Sequence, residues 1–310
     1  MKLRHKRTAA ILACLCILFT IAGCGKGKEI VLTTGLGKND VFKIGEAVCT
    51  LPEAKYLLMQ MQQGYDQVYG KELWKQTVNG NTIEEYAKDR VIDRMVEVKC
   101  MNLLAKDRQI ELTEEEKKTA SDTADQQYAA LNEETIQSLG VDQESLRSFY
   151  QEFALADKVY QELTKDVNTE VSDDEARAVL VQQIFTKSES VANEVVQKAQ
   201  AGEDFAALAE KYNESDEMQK AYGRGEVDSK LEEAIFALGN DEISDVVSTD
   251  DGYYILKCMN NYDVDATDAN KAVIANQRKE DAFRKVYDPF VAALDSEFNQ
   301  ELWDSVGAAQ

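Results

Sequence analysis

The 310-residue sequence has a single histidine, His5, in its opening basic stretch. Past that position no imidazole remains to act as a general base, complete a Ser-His-Asp or Cys-His arrangement, or bind zinc. Cys49, Cys100 and Cys258 are widely spaced and odd in number, and no CxxC occurs. They imply no disulfide framework and read as small buried hydrophobes. Asp263, Asp265 and Asp268 cluster as oxygen ligands would, but the order and glycine of a calcium loop are missing, so a solvated acidic linker is expected. No phosphate loop or dinucleotide fingerprint appears. The residue types therefore predict no metal and no cofactor. They leave only chemistry done by shape and by neutral hydrogen bonds.

The chain opens MKLRHKRTAAILACLCILFTIAGC. Lys2, Arg4, Lys6 and Arg7 make a basic start without an acid, and an apolar run spans Ala9 to Ile21. That run is short for a membrane span, which takes ~20 apolar residues, and fits a secretory signal. The alternative is an uncleaved anchor helix. IAGC resembles the bacterial lipobox, and the resemblance implies cleavage before Cys24 and lipidation of Cys24. Two acyl chains hold a protein on a membrane where one does so only marginally. Removal of residues 1–23 takes away four basic side chains and shifts the formal charge from -22 to -26. Such a surface repels nucleic acid, so no nucleic-acid partner is expected. It suits solubility near an anionic membrane and contact with basic or unfolded polypeptides.

The elements that would position any site follow from periodicity. Residues 24–28 read as a tether, and EIVLTTG and DVFKIGEAVCTL as short strands turning at Gly35–Asn39 and Gly45-Glu46. A helix starts near Pro52, with Ala54, Leu57, Leu58, Met61, Tyr65 and Val68 on one face. Thr82 with Glu85, and Thr113 with Glu116, are capping boxes opening two further helices. Asp142 caps another, striped by Leu146, Phe149, Phe153, Ala156, Tyr160 and Leu163. Ser172 with Glu175 reads as a third capping box, followed by a β-type run at Ala178–Thr186. Two helices (Val191–Ala201, Asp204–Tyr212), the loop AYGRGE, a helix near Leu231–Leu238 and strands near Ile243–Ser248 and Tyr253–Cys258 complete a β-α-α-α-β-β order. The acidic stretch NYDVDATDAN then leads to a helical region from Lys271, which Asp288-Pro289 is expected to interrupt. Phe283, Val286, Tyr287, Phe290 and Leu294 give that region an apolar face in need of a partner. Trp74 and Trp303 read as core before they read as the lining of a client groove.

Three segments carry a family resemblance. AGEDFAALAEKYNESDE resembles the G-x-D-F-x-x-L-A-x-x-Y-S of parvulin-type peptidyl-prolyl isomerases, YGRGEV stands where their glycine loop would be, and LEEAIFALGNDEISDVVSTDDGYYILK matches their closing run. With KIGEAVCTLPEA and the lipobox, the whole resembles the extracytoplasmic foldases of the PrsA/SurA group. The resemblance implies an α+β protein: a mostly helical chaperone domain formed by both chain ends, with an inserted parvulin-like α+β domain. Its expected bounds are a signal peptide at 1–23, a lipidated tether at 24–40, the N-terminal helical domain at 41–170, the parvulin-like domain at 171–262, and a C-terminal helical segment at 263–310. The implied partners are unfolded or partly folded secreted polypeptides, with the membrane reached through Cys24 on the outer face of a Gram-positive cell.

At the site itself the sequence departs from the family. Gln183 stands for the first-strand histidine, Tyr254 for the last-strand histidine, and Leu231 for the pocket phenylalanine. The acidic or cysteine position falls at Ser215 or Asp216, while Phe236 is retained as core or pocket. Prolyl isomerisation needs no nucleophile, only a pocket that binds the twisted amide better than either planar form. Gln183 and Tyr254 could hydrogen-bond to each other or to Asp216. The lost aromatic surface at Leu231 argues against efficient turnover, so a degenerate, client-binding domain is expected. The alternative is a solute-binding lipoprotein of an uptake system, which would alternate strands and helices where residues 52–165 read as helix after helix.

Overall fold

The computed structural model describes residues 35–307. The lipobox with Cys24, the tether and the strand expected at EIVLTTG lie outside the described residues. Contacts divide the chain into two compact units, one reaching Val159 and resuming at Tyr287, the other Tyr160–Val286.

The first unit begins with the hairpin β1 (Asp40–Ile44) and β2 (Ala47–Thr50), turned at Gly45 with a positive φ of 54°. The chain's last strand, β9 (Ser296–Phe298), pairs antiparallel with β1 on the other side, placing Phe42 opposite Phe298. The order is β2-β1-β9. Helix α1 (Leu51–Tyr69) follows at once, its start fixed by Thr50, whose N–H and hydroxyl donate to Glu53. The small hairpin β3 (Thr77–Val78) and β4 (Asn81–Thr82) leads into α2 (Ile83–Arg108), capped by the Thr82–Glu85 box. Then come α3 (Glu114–Ala130), α4 (Glu133–Leu139) and α5 (Gln143–Thr164). Tyr56, Met95, Met101, Leu104 and Leu146 are fully buried, and Phe149 packs edge-on to Tyr56 with ring centroids 5.3 Å apart. Trp303, on the short α11 (Gln300–Asp304), is buried too.

The second unit is a four-stranded antiparallel sheet, order β6-β5-β8-β7, with helices on both faces. Its elements are α6 (Asp173–Ala176), β5 (Val179–Thr186), α7 (Glu189–Gln200), α8 (Phe205–Tyr212), β6 (Gln219–Tyr222), α9 (Ser229–Ala237), β7 (Val247–Ser248) and β8 (Tyr253–Asn260). Alternation along the strands sends Ile184 and Ile255 toward α7 and α8, and Val181, Leu256 and Cys258 toward α9. Helix α10 (Val264–Ala292) contributes its residues up to Val286, among them Phe283 packed on Tyr160 at 5.2 Å.

Several sequence expectations need correction. NYDVDATDAN is no linker: Asp263 accepts from the N–H of Ala266, and α10 begins at Val264. Pro289 does not interrupt that helix. Its missing N–H forfeits one hydrogen bond to the preceding turn, and the helix runs on past it to Ala292. The final stretch is therefore β9 and α11, not a last helix from Pro289. Ser172 accepts from the N–H of Glu175, but the Glu175 carboxylate turns to Arg278 at 2.5 Å, so the box is half made and α6 stops after four residues. The stretch ahead of the glycine loop holds a strand, β6, that the sequence reading passed over.

Candidate functional site

Gln183 lies on β5 directly opposite Leu256 of β8, and Tyr254 lies two residues along β8, opposite Phe185. Gln183 and Tyr254 are thus diagonal neighbours on the sheet face that α9 covers. Leu231, from the first turn of α9, closes over the same face and is 4% exposed.

The residue that completes the cluster is Tyr222, the last residue of β6. Its buried ring carries a hydroxyl that donates to the Oε1 of Gln183 at 2.5 Å. On the other side of the amide, Nε2 of Gln183 donates to the carbonyl of Glu217 at 3.1 Å. The Gln183 side chain, itself 3% exposed, is thereby held at both ends by the domain's own atoms. Burial, aided by the nearby Glu217 and Tyr254, pushes the Tyr222 phenol up to about 12. It stays protonated across the physiological range and keeps its role as donor.

Tyr254 is half-buried and stacks on Phe185 with centroids 4.9 Å apart. Burial first, and Asp251 second, raise its phenol above the ordinary tyrosine value. Gly252 makes room for the Phe185 ring: its φ is +152°, and a Cβ there would stand 2.7 Å from Phe185 Cε2.

Asp216 is exposed, and no hydrogen bond ties it to Gln183 or Tyr254. The loop before β6 is folded onto β5 by Asn213, which accepts from the N–H of Phe185 at 2.9 Å and donates to the carbonyl of Ser215 at 2.7 Å. Ser215 in turn donates to the Glu217 carbonyl at 2.8 Å. Phe236 is partly buried, its ring set between two guanidinium groups, with Arg224 at 4.3 Å and Arg177 at 5.6 Å. The structure therefore gathers Gln183, Leu231 and Tyr254 and leaves Asp216 at the surface. Sequence reasoning missed Tyr222 because a four-residue strand with one buried position gives no alternation to detect.

A cluster of this kind holds neutral polar groups against an apolar helix, with no base and no nucleophile. Among the described residues no group of histidine, cysteine or carboxylate side chains could hold a metal ion. What the arrangement can offer a polypeptide is apolar surface and shape.

Comparison with known proteins shows what the chain resembles. Residues 141–267 match the family of PPIC-type PPIase domains. A protein named foldase protein PrsA from Caldanaerobacter subterraneus is 28% identical over 320 aligned positions, covering 93% of this chain and 95% of its own. Residues 141–267 thus match a PPIC-type PPIase domain, and over most of its length the chain is similar to PrsA foldases. A second foldase protein PrsA, from Clostridium botulinum strain Langeland, is 27% identical over 73% of this chain and 77% of its own. The crystal structure of a peptidylprolyl isomerase (PrsA) from Bacillus cereus aligns over 90% of this chain and 97% of its own, at 18% identity and a TM-score of 0.43. Gln183, Leu231, Tyr222 and Tyr254 all lie within the matched residues.

Proposed function

We propose that this foldase is a membrane-anchored, extracytoplasmic chaperone that binds unfolded secreted polypeptides, and that its parvulin domain isomerises prolines weakly or not at all. The observation that carries the second part is the Gln183 amide, engaged by Tyr222 on one side and the Glu217 carbonyl on the other. An amide held at both ends and 3% exposed keeps its remaining N–H out of reach of a substrate carbonyl as the peptide bond twists. With Leu231 buried against the same cluster, the face is packed where a proline ring would need a socket.

The anchor is proposed on the lipobox and Cys24, as is the outer-face location. Unfolded polypeptides as ligands are proposed on the foldase relatives and on the acidic surface, which keeps the protein soluble and away from nucleic acid. The solute-binding alternative finds no support: residues 51–164 run almost entirely as helices, broken by one two-stranded hairpin, with no α/β lobe.

The test is prolyl cis–trans exchange by NMR on a short Xaa-Pro peptide with residues 25–310, run beside light scattering of an aggregating client. The proposal expects no acceleration and suppressed scattering. A clear acceleration by the native sequence would show that the Gln183–Tyr222 pair opens during turnover and that the chain is an isomerase. Gln183→His with Tyr254→His, measured alongside, shows whether histidine alone restores the rate.

A further inference from the structure

The parvulin domain has a shallow, open surface at the edge of its sheet, away from the Gln183–Tyr222 pair. Between α9 and β7 runs an open groove of about 440 Å³, floored by Ala234, Ala237, Val246 and Val247. Strand β7 is the last in the sheet order and pairs on one side only, with β8. A helix lying beside an edge strand with an apolar trough between them is the geometry in which an extended peptide adds itself to a sheet, with alternate side chains entering the trough.

Charge says which peptide fits. From Leu231 to Leu256 the sequence holds seven carboxylates and no lysine, arginine or histidine. Three are engaged within the domain: Glu232 accepts from the Gly225 N–H at 2.6 Å, Glu242 from the Gly239 N–H at 2.8 Å, and Asp245 from the Gln200 amide at 3.4 Å. Glu233, on the groove wall, is exposed, as are Asp245, Asp250 and Asp251 beside β7. Lys230 is the one cation on the wall. Within a Debye length of ~10 Å these carboxylates act together, attracting a cationic strand and repelling an anionic one.

We propose that the α9–β7 groove is a polypeptide-binding site for extended segments alternating apolar and basic residues, separate from the Gln183–Tyr222 cluster. It rests on the foldase reading only in that the ligand is a polypeptide. It gives the parvulin domain a means of holding clients that does not depend on isomerase chemistry.

The test uses residues 25–310 and two fluorescent peptides free of proline, one alternating lysine with valine and one alternating glutamate with valine. Anisotropy reports binding, and amide shifts report the place. The lysine peptide is expected to bind, more weakly as salt rises, with the largest shifts at residues 246–248; the glutamate peptide is expected not to. Ala237→Arg obstructs an exposed part of the floor, and should weaken binding about tenfold while leaving the thermal melt in place. Glu233→Gln with Asp245→Asn should flatten the salt dependence without filling the trough. Shifts confined to other residues, equal affinity for the glutamate peptide, or full affinity in Ala237→Arg would each overturn the proposal. Client light scattering on the same preparation separates the two readings. Suppressed scattering without peptide binding rejects the groove alone, and unsuppressed scattering rejects the chaperone reading.

Discussion

Removing one charge from the helical unit should cost it a large part of its stability. Lys99 of α2 is 3% exposed, and its ammonium lies 2.7 Å from Glu53 of α1 and 2.6 Å from Glu152 of α5. Glu53 is also the residue that caps α1 through Thr50, so a single cation joins three helices and a helix start. Burial by itself would lower the Lys99 ammonium, but the two carboxylates outweigh it and raise the group above its ordinary value. Lys99→Met keeps the aliphatic length and deletes the charge, leaving Glu53 and Glu152 facing each other without a counterion. Breaking a buried pair in this way costs about 3–5 kcal/mol. With a urea slope of about 2 kcal/mol per molar, the midpoint should fall by about 2 M.

The assay is built into the sequence. Both tryptophans, Trp74 and Trp303, belong to the helical unit, so tryptophan fluorescence in urea follows that unit alone. Glu152→Gln is the control. Burial raises the Glu152 carboxyl above its usual range, so its ionised form is a cost at neutral pH that eases as pH falls through its folded value. With Glu53 still paired to Lys99, that substitution should change stability by less than about 1 kcal/mol. Because the folded Lys99 value is raised, its contribution is complete below the unfolded lysine value of about 10.4 and is lost as pH climbs through the folded one. A Lys99→Met midpoint within about 0.5 M of the parent, or an equal loss in Glu152→Gln, would refute the reasoning.

Tyr222→Phe removes the donor to Gln183 and leaves a buried acceptor unpaired; it should destabilise the parvulin domain by about 1–3 kcal/mol, read as faster hydrogen exchange along β5. Gly252→Ala drives a Cβ toward Phe185 Cε2 and the Thr186 carbonyl, at 2.7 and 2.8 Å, and should cost about 1–3 kcal/mol in a thermal melt followed by tyrosine fluorescence. Glu116 is held down to about 2 by its hydrogen bonds to Lys158 and the Thr113 cap. Its contribution is therefore present above the unfolded glutamate value and is lost as pH falls through about 2. Acid titration of Glu116→Gln should show a shallower decline in that window than the parent.

Where local chemistry decides an element, the sequence was legible. The Thr82–Glu85 and Thr113–Glu116 boxes sit where the spacing of a hydroxyl and a carboxylate placed them, because both partners of each box lie within one turn. Legibility failed where a distant residue competes for a side chain. Glu175 has the spacing to complete a box with Ser172, but Arg278, more than a hundred residues on, takes its carboxylate. Tyr222 was hidden for the same reason, since its meaning comes from Gln183 across the sheet and not from the residues beside it. Gln183 and Tyr254 were found by family likeness, and in place of the partners expected for Gln183, Tyr254 or Asp216, stand the Tyr222 hydroxyl and the Glu217 carbonyl. Pro289 was over-read: its missing N–H and its ring act on the turn before it, and the helix keeps that turn and runs on to Ala292.

The β2-β1-β9 sheet sets an order of events on a chain made from its N-terminus. Phe42 must wait for Phe298, so the sheet that opens the helical unit closes only after every strand of the parvulin domain has been made. The four strands of the parvulin domain all lie between residues 179 and 260 and need nothing later than that. Contacts of such different sequence separation close at different times, the near ones first. A chain clipped before Ser296 thus loses the third strand of one unit while keeping every strand of the other. Until Ser296–Phe298 is made, β1 lacks one neighbour and the helical unit is the one left unfinished.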